Sequence, residues 1–166
     1  MSIQDAVARA SAYLAEHPTE ASYRDATATA RLSAGLRVEV TGTGGESLRT
    51  DMPRGIGGSA TEPSPGWFLR AAAAACVASL ISIRAASLGR TILTCEVRVD
   101  SESDDRGILG LDDAVPAGPL STRIEVTIEA PGMQRADRLA IARWAIDHCP
   151  VTDAIARPVP IELDVH

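Results

Sequence analysis

The sequence contains no lysine, so all 16 of its basic residues are arginines, and these are scattered rather than gathered into a basic run. With 22 acidic residues and a net charge of −6, the chain has no clustered cationic surface for a nucleic-acid backbone, and that class of partner is excluded. Aromatic residues are only 3% of the chain, so the core has to be built from Ala, Val, Ile and Leu. There are three histidines and three cysteines, with no Cys-x-x-Cys pair and no His/Cys cluster, so no metal site is expected. An odd number of widely spaced cysteines does not form the disulfide framework of a small secreted protein. The N-terminal MSIQDAVARASAYLAEHP carries early acids and no continuous apolar stretch, unlike a secretory leader. A reducing cytoplasm is the expected compartment. The one long apolar run, Ala71 to Ile83, lies between Arg70 and Arg84 and falls short of the roughly 20 residues a bilayer requires. TGTGGES lacks the Lys-Ser/Thr of a phosphate loop, and no Gly-x-Ser-x-Gly is present.

What is present has the balance of an ordinary globular chain, 45% hydrophobic and 23% charged over 166 residues, enough for one domain with a real core. Apolar groups at Ala6, Val7, Ala10 and Leu14 predict a helix over 3–16. It closes at His17-Pro18 and makes residues 1–20 a helical extension. ATATARL and LRVEVTG, separated by Ala34-Gly35, predict a hairpin, and a short strand is expected over 47–51. The Gly/Ser-rich stretch after it is a long loop of the kind that often carries function. Ser64-Pro65 then sets an N-cap and a first-turn proline for a helix running to about Leu88 and stopping at Gly89. That helix is apolar on nearly all faces, so it should be buried on most sides, more easily if a second subunit covers part of it. Strands are expected over 91–103, 120–130 and 159–165, and helices over 136–149 and 150–156. The acidic DSESDDRG run reads as a solvated exit. The fold class is α+β, a mainly antiparallel sheet against a long central helix, in a single domain over 1–166.

Two cysteines lie in suggestive settings. Cys76 is midway along the long helix among small apolar residues, including Ala72, Ala73, Ser79 and Leu80. A dry site of that kind raises a thiol's pKa unless a cation intervenes. Cys149 precedes Pro150, an N-cap position where free N–H groups favour a thiolate. Cys76 can also be read as a packed core residue, as Cys95 on its strand is, and Cys149 as a half-buried cysteine ending the preceding helix. If the two meet, one can be oxidised and the other can close a disulfide on the sulfenic acid.

The two segments together, EPSPGWFLRAAAAACVASLISIRAASLG and DHCPVTDAIARPVPIELDV, resemble the OsmC/Ohr family, and the element order between them fits from about Ala26 to Val165. The resemblance implies an intertwined homodimer whose sheets wrap long central helices, with active sites at the subunit interface. It implies that Cys76 is the thiolate that attacks an organic hydroperoxide and that Cys149 resolves the sulfenic acid into a disulfide. No bound cofactor is implied; an external dithiol, lipoyl-linked in the Ohr branch, restores the pair. Relatives also carry a glutamate just inside the first-cysteine helix, held against an arginine from the N-terminal hairpin. Here Gly66 and Trp67 occupy the matching positions, Glu62 falls one turn early, and the arginine is Arg31 or Arg37, with Arg37 on the better-formed strand. The expected function is therefore a cysteine-based peroxidase with Cys76, Cys149 and Arg37 at its centre, and Trp67, Phe68 and Glu62 near the substrate. The alternatives are a hydrophobic-ligand binder on the same dimer, which the missing glutamate and added tryptophan favour, and a redox sensor.

Overall fold

The computed structural model describes residues 1–166 as two compact units, residues 9–69 and residues 1–8 with 70–166. The first helix, α1 (Ile3–Glu16), forms where the apolar spacing predicts it and has no buried residue.

Within residues 9–69, β1 (Ala28–Ala34), β2 (Arg37–Gly42) and β3 (Ser47–Thr50) form a three-stranded antiparallel sheet in the order β1-β2-β3. Gly35, at φ 59°, makes the hairpin turn that a side chain would strain. The register sets Arg31 opposite Glu39 and Glu39 opposite Arg49, a charged row across all three strands. The Gly-rich loop that follows is an ordered knot tied by Asp51, a residue only 1% exposed. Its carboxylate accepts hydrogen bonds from the main-chain N–H groups of Met52 (2.8 Å), Ser59 (3.1 Å) and Thr61 (3.1 Å), and from the Thr61 hydroxyl (3.0 Å). Burial pushes this carboxyl up, but the hydrogen bonds from Thr61, Met52 and Ser59 carry it below its ordinary value. Gly58 is required there, because a Cβ would stand 1.8 Å from the Met52 carbonyl oxygen.

The long helix α2 (Pro65–Ser87) begins and ends as its sequence dictates. The Ser64 side chain accepts from the Trp67 N–H, and Gly89 (φ 65°) completes a C-terminal cap in which the Arg90 N–H reaches the Ala85 carbonyl at 2.9 Å. By length and composition alone, α2 could cross a membrane. Within the single chain one stripe, Ala73, Val77, Ile81 and Ala85, is buried, whereas Ala72, Ala75, Ser79 and Ser82 remain exposed, the part of the helix for which cover by a second subunit is expected. The i, i+4 spacing puts the first set on the core side and leaves the small residues without cover.

Residues 70–166 hold the core. β4 (Thr94–Glu102) and β5 (Ser121–Glu129) pair antiparallel as a second, two-stranded sheet, and the short α3 (Asp105–Ile108) follows β4. The acidic run is thus not merely a solvated exit: Asp104 caps α3 by accepting from the Arg106 N–H at 3.0 Å, and an ion pair with Arg106 holds the Asp104 carboxyl at about 2. Cys95, Val97, Ile124, Val126 and Ile128 share one face, which packs on α2 and on α4 (Arg135–Asp147). Val77, Ile81 and Ala145 are fully buried at the centre, and burying each of the larger two stabilises by about 1.5–3 kcal/mol. The last helix, α5 (Pro150–Ala156), forms as expected. The final strand over 159–165 does not: residues 158–166 make no pairing, because no strand lies beside them to satisfy their main chain. The architecture is α+β, with antiparallel sheets and a central helix, although the single sheet expected is two.

Candidate active site

Cys149 is fully buried at the junction of α4 and α5, and the sequence around it explains why. α4 ends at Asp147, Pro150 cannot continue it, and Cys149 takes an extended conformation (φ −82°, ψ 118°) as the N-cap of α5. Its Sγ accepts a hydrogen bond from the Thr152 N–H at 3.5 Å. The Thr152 hydroxyl locks the corner by reaching the carbonyl oxygens of Ile146 (2.7 Å) and Cys149 (3.1 Å). Cys76 is half-buried on α2, packed against the cluster that contains Cys149, and both thiols are free.

The two thiols influence each other's protonation, and their surroundings act on them unequally. Burial pushes the Cys76 thiol up, and the hydrogen bond and charge of Cys149 push it further, against a weaker pull from the Val151 N–H. Burial also pushes Cys149 up, but the Thr152 N–H, the Cys76 thiol, the Thr152 side chain and the Val151 N–H together bring it below an ordinary thiol. Of the two, Cys149 is therefore the thiol that gives up its proton more readily. This order was not legible in the sequence. Thr152, which secures it, was missed, since only the closed turn at Pro150 brings its hydroxyl to the end of α4.

The other expected site residues have their own settings. Arg37 and Glu62 come together, with Arg49, Glu39, Ser33 and Val38, around a recess of about 180 Å³ within residues 9–69. Arg31 faces Glu39 across the hairpin and is not among the residues lining this recess. Trp67 and Phe68 stack edge-to-face at 5.1 Å in the first turn of α2, with Trp67 half exposed. Arg70 reaches Ser101 on β4 (3.3 Å) rather than a thiol. His148 stacks on Trp144 at 4.2 Å, and its Nδ1 meets the Trp144 carbonyl at 2.8 Å. Burial raises the thiol of Cys95, which packs opposite Ile128 as a core residue.

The family model described as OsmC-like protein matches residues 57–164, more than half of the chain. Solved structures share the fold at low identity. An OsmC-like protein from Mycoplasma pneumoniae superposes with a TM-score of 0.68 at 15% identity, covering 81% of this chain and 89% of that one. An organic hydroperoxide resistance protein OsmC from Legionella pneumophila gives 0.58 at 22% identity, covering 81% and 90%. The organic hydroperoxide resistance protein OhrB of Bacillus subtilis gives 0.52 at 20% identity, covering 79% and 90%. No curated protein matches the sequence. The match across both cysteine segments, on a fold shared with these structures, places the chain in the OsmC-like family.

Proposed function

We propose that the protein is a thiol-dependent peroxidase that reduces organic hydroperoxides with the Cys76–Cys149 pair. The observation that carries this reading is the pairing itself: a reachable thiol on α2 packed against the cluster that holds a buried thiol, the more acidic of the two. Access assigns the roles, since Cys76 is half-buried whereas Cys149 has no exposed surface.

Cys149, as thiolate, takes the Cys76 proton while the Cys76 sulfur attacks the terminal peroxide oxygen. The O–O bond breaks, Cys76 becomes a sulfenic acid, and the departing alkoxide receives the proton from Cys149 to leave as alcohol. Cys149, again a thiolate, attacks the sulfenic sulfur. A disulfide forms and hydroxide departs, to be protonated by solvent. An external dithiol returns two electrons and two protons to the pair. In this reading Cys149 performs, besides resolution, the activation for which relatives are expected to use a carboxylate–arginine pair.

The uncovered row Ala72, Ala75, Ser79 and Ser82 on α2 supports an assembly of two copies, since small side chains let helices approach closely. The test of the chemistry is consumption of an alkyl and an aromatic hydroperoxide with excess dithiol. Turnover that is lost in Cys76→Ser supports the proposal. Turnover unchanged in that variant removes Cys76 from the mechanism. Heat stabilisation by an apolar ligand, independent of either thiol, would favour a binding protein instead.

A further inference from the structure

Between β5 and α4 lies an open groove of about 590 Å³ whose lining is sorted by chemistry. β5 contributes Ile124, Val126 and Ile128, alternate residues of one face. α4 contributes Leu139, Ala142 and Ile146, which the helical repeat sets on one side. Together they make an aliphatic floor, and Leu139 leaves 55% of its surface to solvent there.

The charged residues stand at the two ends of that floor. Arg135 and Arg138 are one turn apart at the start of α4, and Arg143 and Asp147 are one turn apart near its end. None of the three arginines belongs to an ion pair; the ion pairs of the chain lie elsewhere. Arg143 and Asp147 offset each other across adjacent turns, so the excess positive charge falls at Arg135 and Arg138. The groove is therefore cationic at one end and aliphatic along its length.

This arrangement selects one kind of occupant. An added strand would need the main-chain edge of β5, but the Arg138 side chain already donates to the Ile128 carbonyl at 3.2 Å and takes part of that edge. That contact uses one of the guanidinium's donors and leaves others for an anion. From Arg135 to Ile146 the helix rises about 16 Å, roughly the length of an extended twelve-carbon chain. Arginine presents the planar fork that a carboxylate matches.

We propose that the groove binds a free long-chain carboxylate, with its head group held by Arg135 and Arg138 and its aliphatic chain laid over Leu139, Ala142 and Ile146. Neither Cys76 nor Cys149 lines the groove, so the site goes beyond the thiol chemistry and stands without it.

The experiment is calorimetric titration of the reduced full chain with dodecanoate below its micellar concentration, alongside decanoate and dodecyltrimethylammonium. Dodecanoate should bind; decanoate should bind about 3- to 10-fold more weakly for its two missing methylenes, and the cation at least about 10-fold more weakly. Arg135→Gln and Leu139→Asp should each weaken dodecanoate binding by about 10-fold or more while consumption of a small alkyl hydroperoxide stays as in the unchanged chain. Both side chains are exposed, so the fold should persist, which circular dichroism checks; if Leu139→Asp does not fold, Arg135→Gln decides. No heat with dodecanoate overturns the proposal, as does binding that both variants leave unchanged. Decanoate as tight as dodecanoate overturns the aliphatic floor, and the cation as tight as the carboxylate overturns the arginine end. Loss of hydroperoxide consumption together with binding in a folded variant overturns the separation from the thiols. A chain that binds dodecanoate but consumes no hydroperoxide upholds the groove and overturns the peroxidase reading alone.

Discussion

Replacing Thr152 with valine separates the mechanical and the electrostatic roles of the α4–α5 corner. Valine keeps the branched shape and the main-chain N–H that reaches Cys149 Sγ, but removes the hydroxyl that lies 2.7 Å from the Ile146 carbonyl and 3.1 Å from that of Cys149. The Ile146 carbonyl also receives the His148 and Cys149 N–H groups, so it is not left without a donor. The loss should therefore be that of an ordinary hydrogen bond, about 1 kcal/mol. For a chain of this size that lowers the melting temperature by about 2–4 °C. The Thr152 side chain is also one of the groups that hold the Cys149 thiol below its ordinary value, so its removal should raise that thiol. The pH dependence of Cys76 oxidation, followed by thiol loss under limiting hydroperoxide between about pH 5 and pH 9, should move to higher pH, spanning the ordinary thiol range. Thr152→Ser should restore the profile. A melting point that falls while the profile stays in place would show that Thr152 only braces the corner, and that Cys149 is not the base.

Cys149→Ser should leave α5 capped, since serine is a favoured N-cap, yet remove the resolving thiol; one oxidation event should then be followed by sulfinic and sulfonic forms of Cys76, visible by mass spectrometry. Ile81→Ala should cost about 2–5 kcal/mol in urea unfolding, because the side chain is fully buried at the centre of the cluster. A cost near zero would show that α2 does not anchor this core. The Asp51 carboxyl is lowered on folding, so its contribution to stability is present above the ordinary carboxylate value and is lost as pH falls through the folded value. Asp51→Asn at neutral pH should reproduce that loss as faster proteolysis within residues 51–61. Cleavage no faster than in the unchanged chain would mean the loop does not depend on the carboxylate.

Much of the fold could be read from local pattern, because its signals act over short distances. Ser64-Pro65, Gly89 and Pro150 set helix ends that depend on neighbouring main chain alone, and the alternation in 94–102 and 121–129 needs only one buried face. The segment 159–165 shows the limit of that reasoning. Its alternation is as regular as that of β5, but a strand is a relation between two segments, and the pattern does not say where the other one lies. Asp51 and Thr152 were missed for a related reason, since their partners are main-chain atoms brought within reach only once the loop and the corner have closed. The site was half legible. The settings of Cys76 and Cys149 were visible, but their contact depends on how α4 and α5 pack on α2. The difference in acidity between them depends on N–H groups that no residue type announces.

The central claim is that Cys76 and Cys149 form one redox unit within a single chain. Its most direct test is to add one equivalent of an alkyl hydroperoxide to the reduced protein, quench with an alkylating agent, and map the cysteines by peptide mass spectrometry. The account predicts a Cys76–Cys149 disulfide formed within the mixing time, with Cys95 alkylated. Slow oxidation that leaves both thiols free, or that joins either one to Cys95, would contradict it.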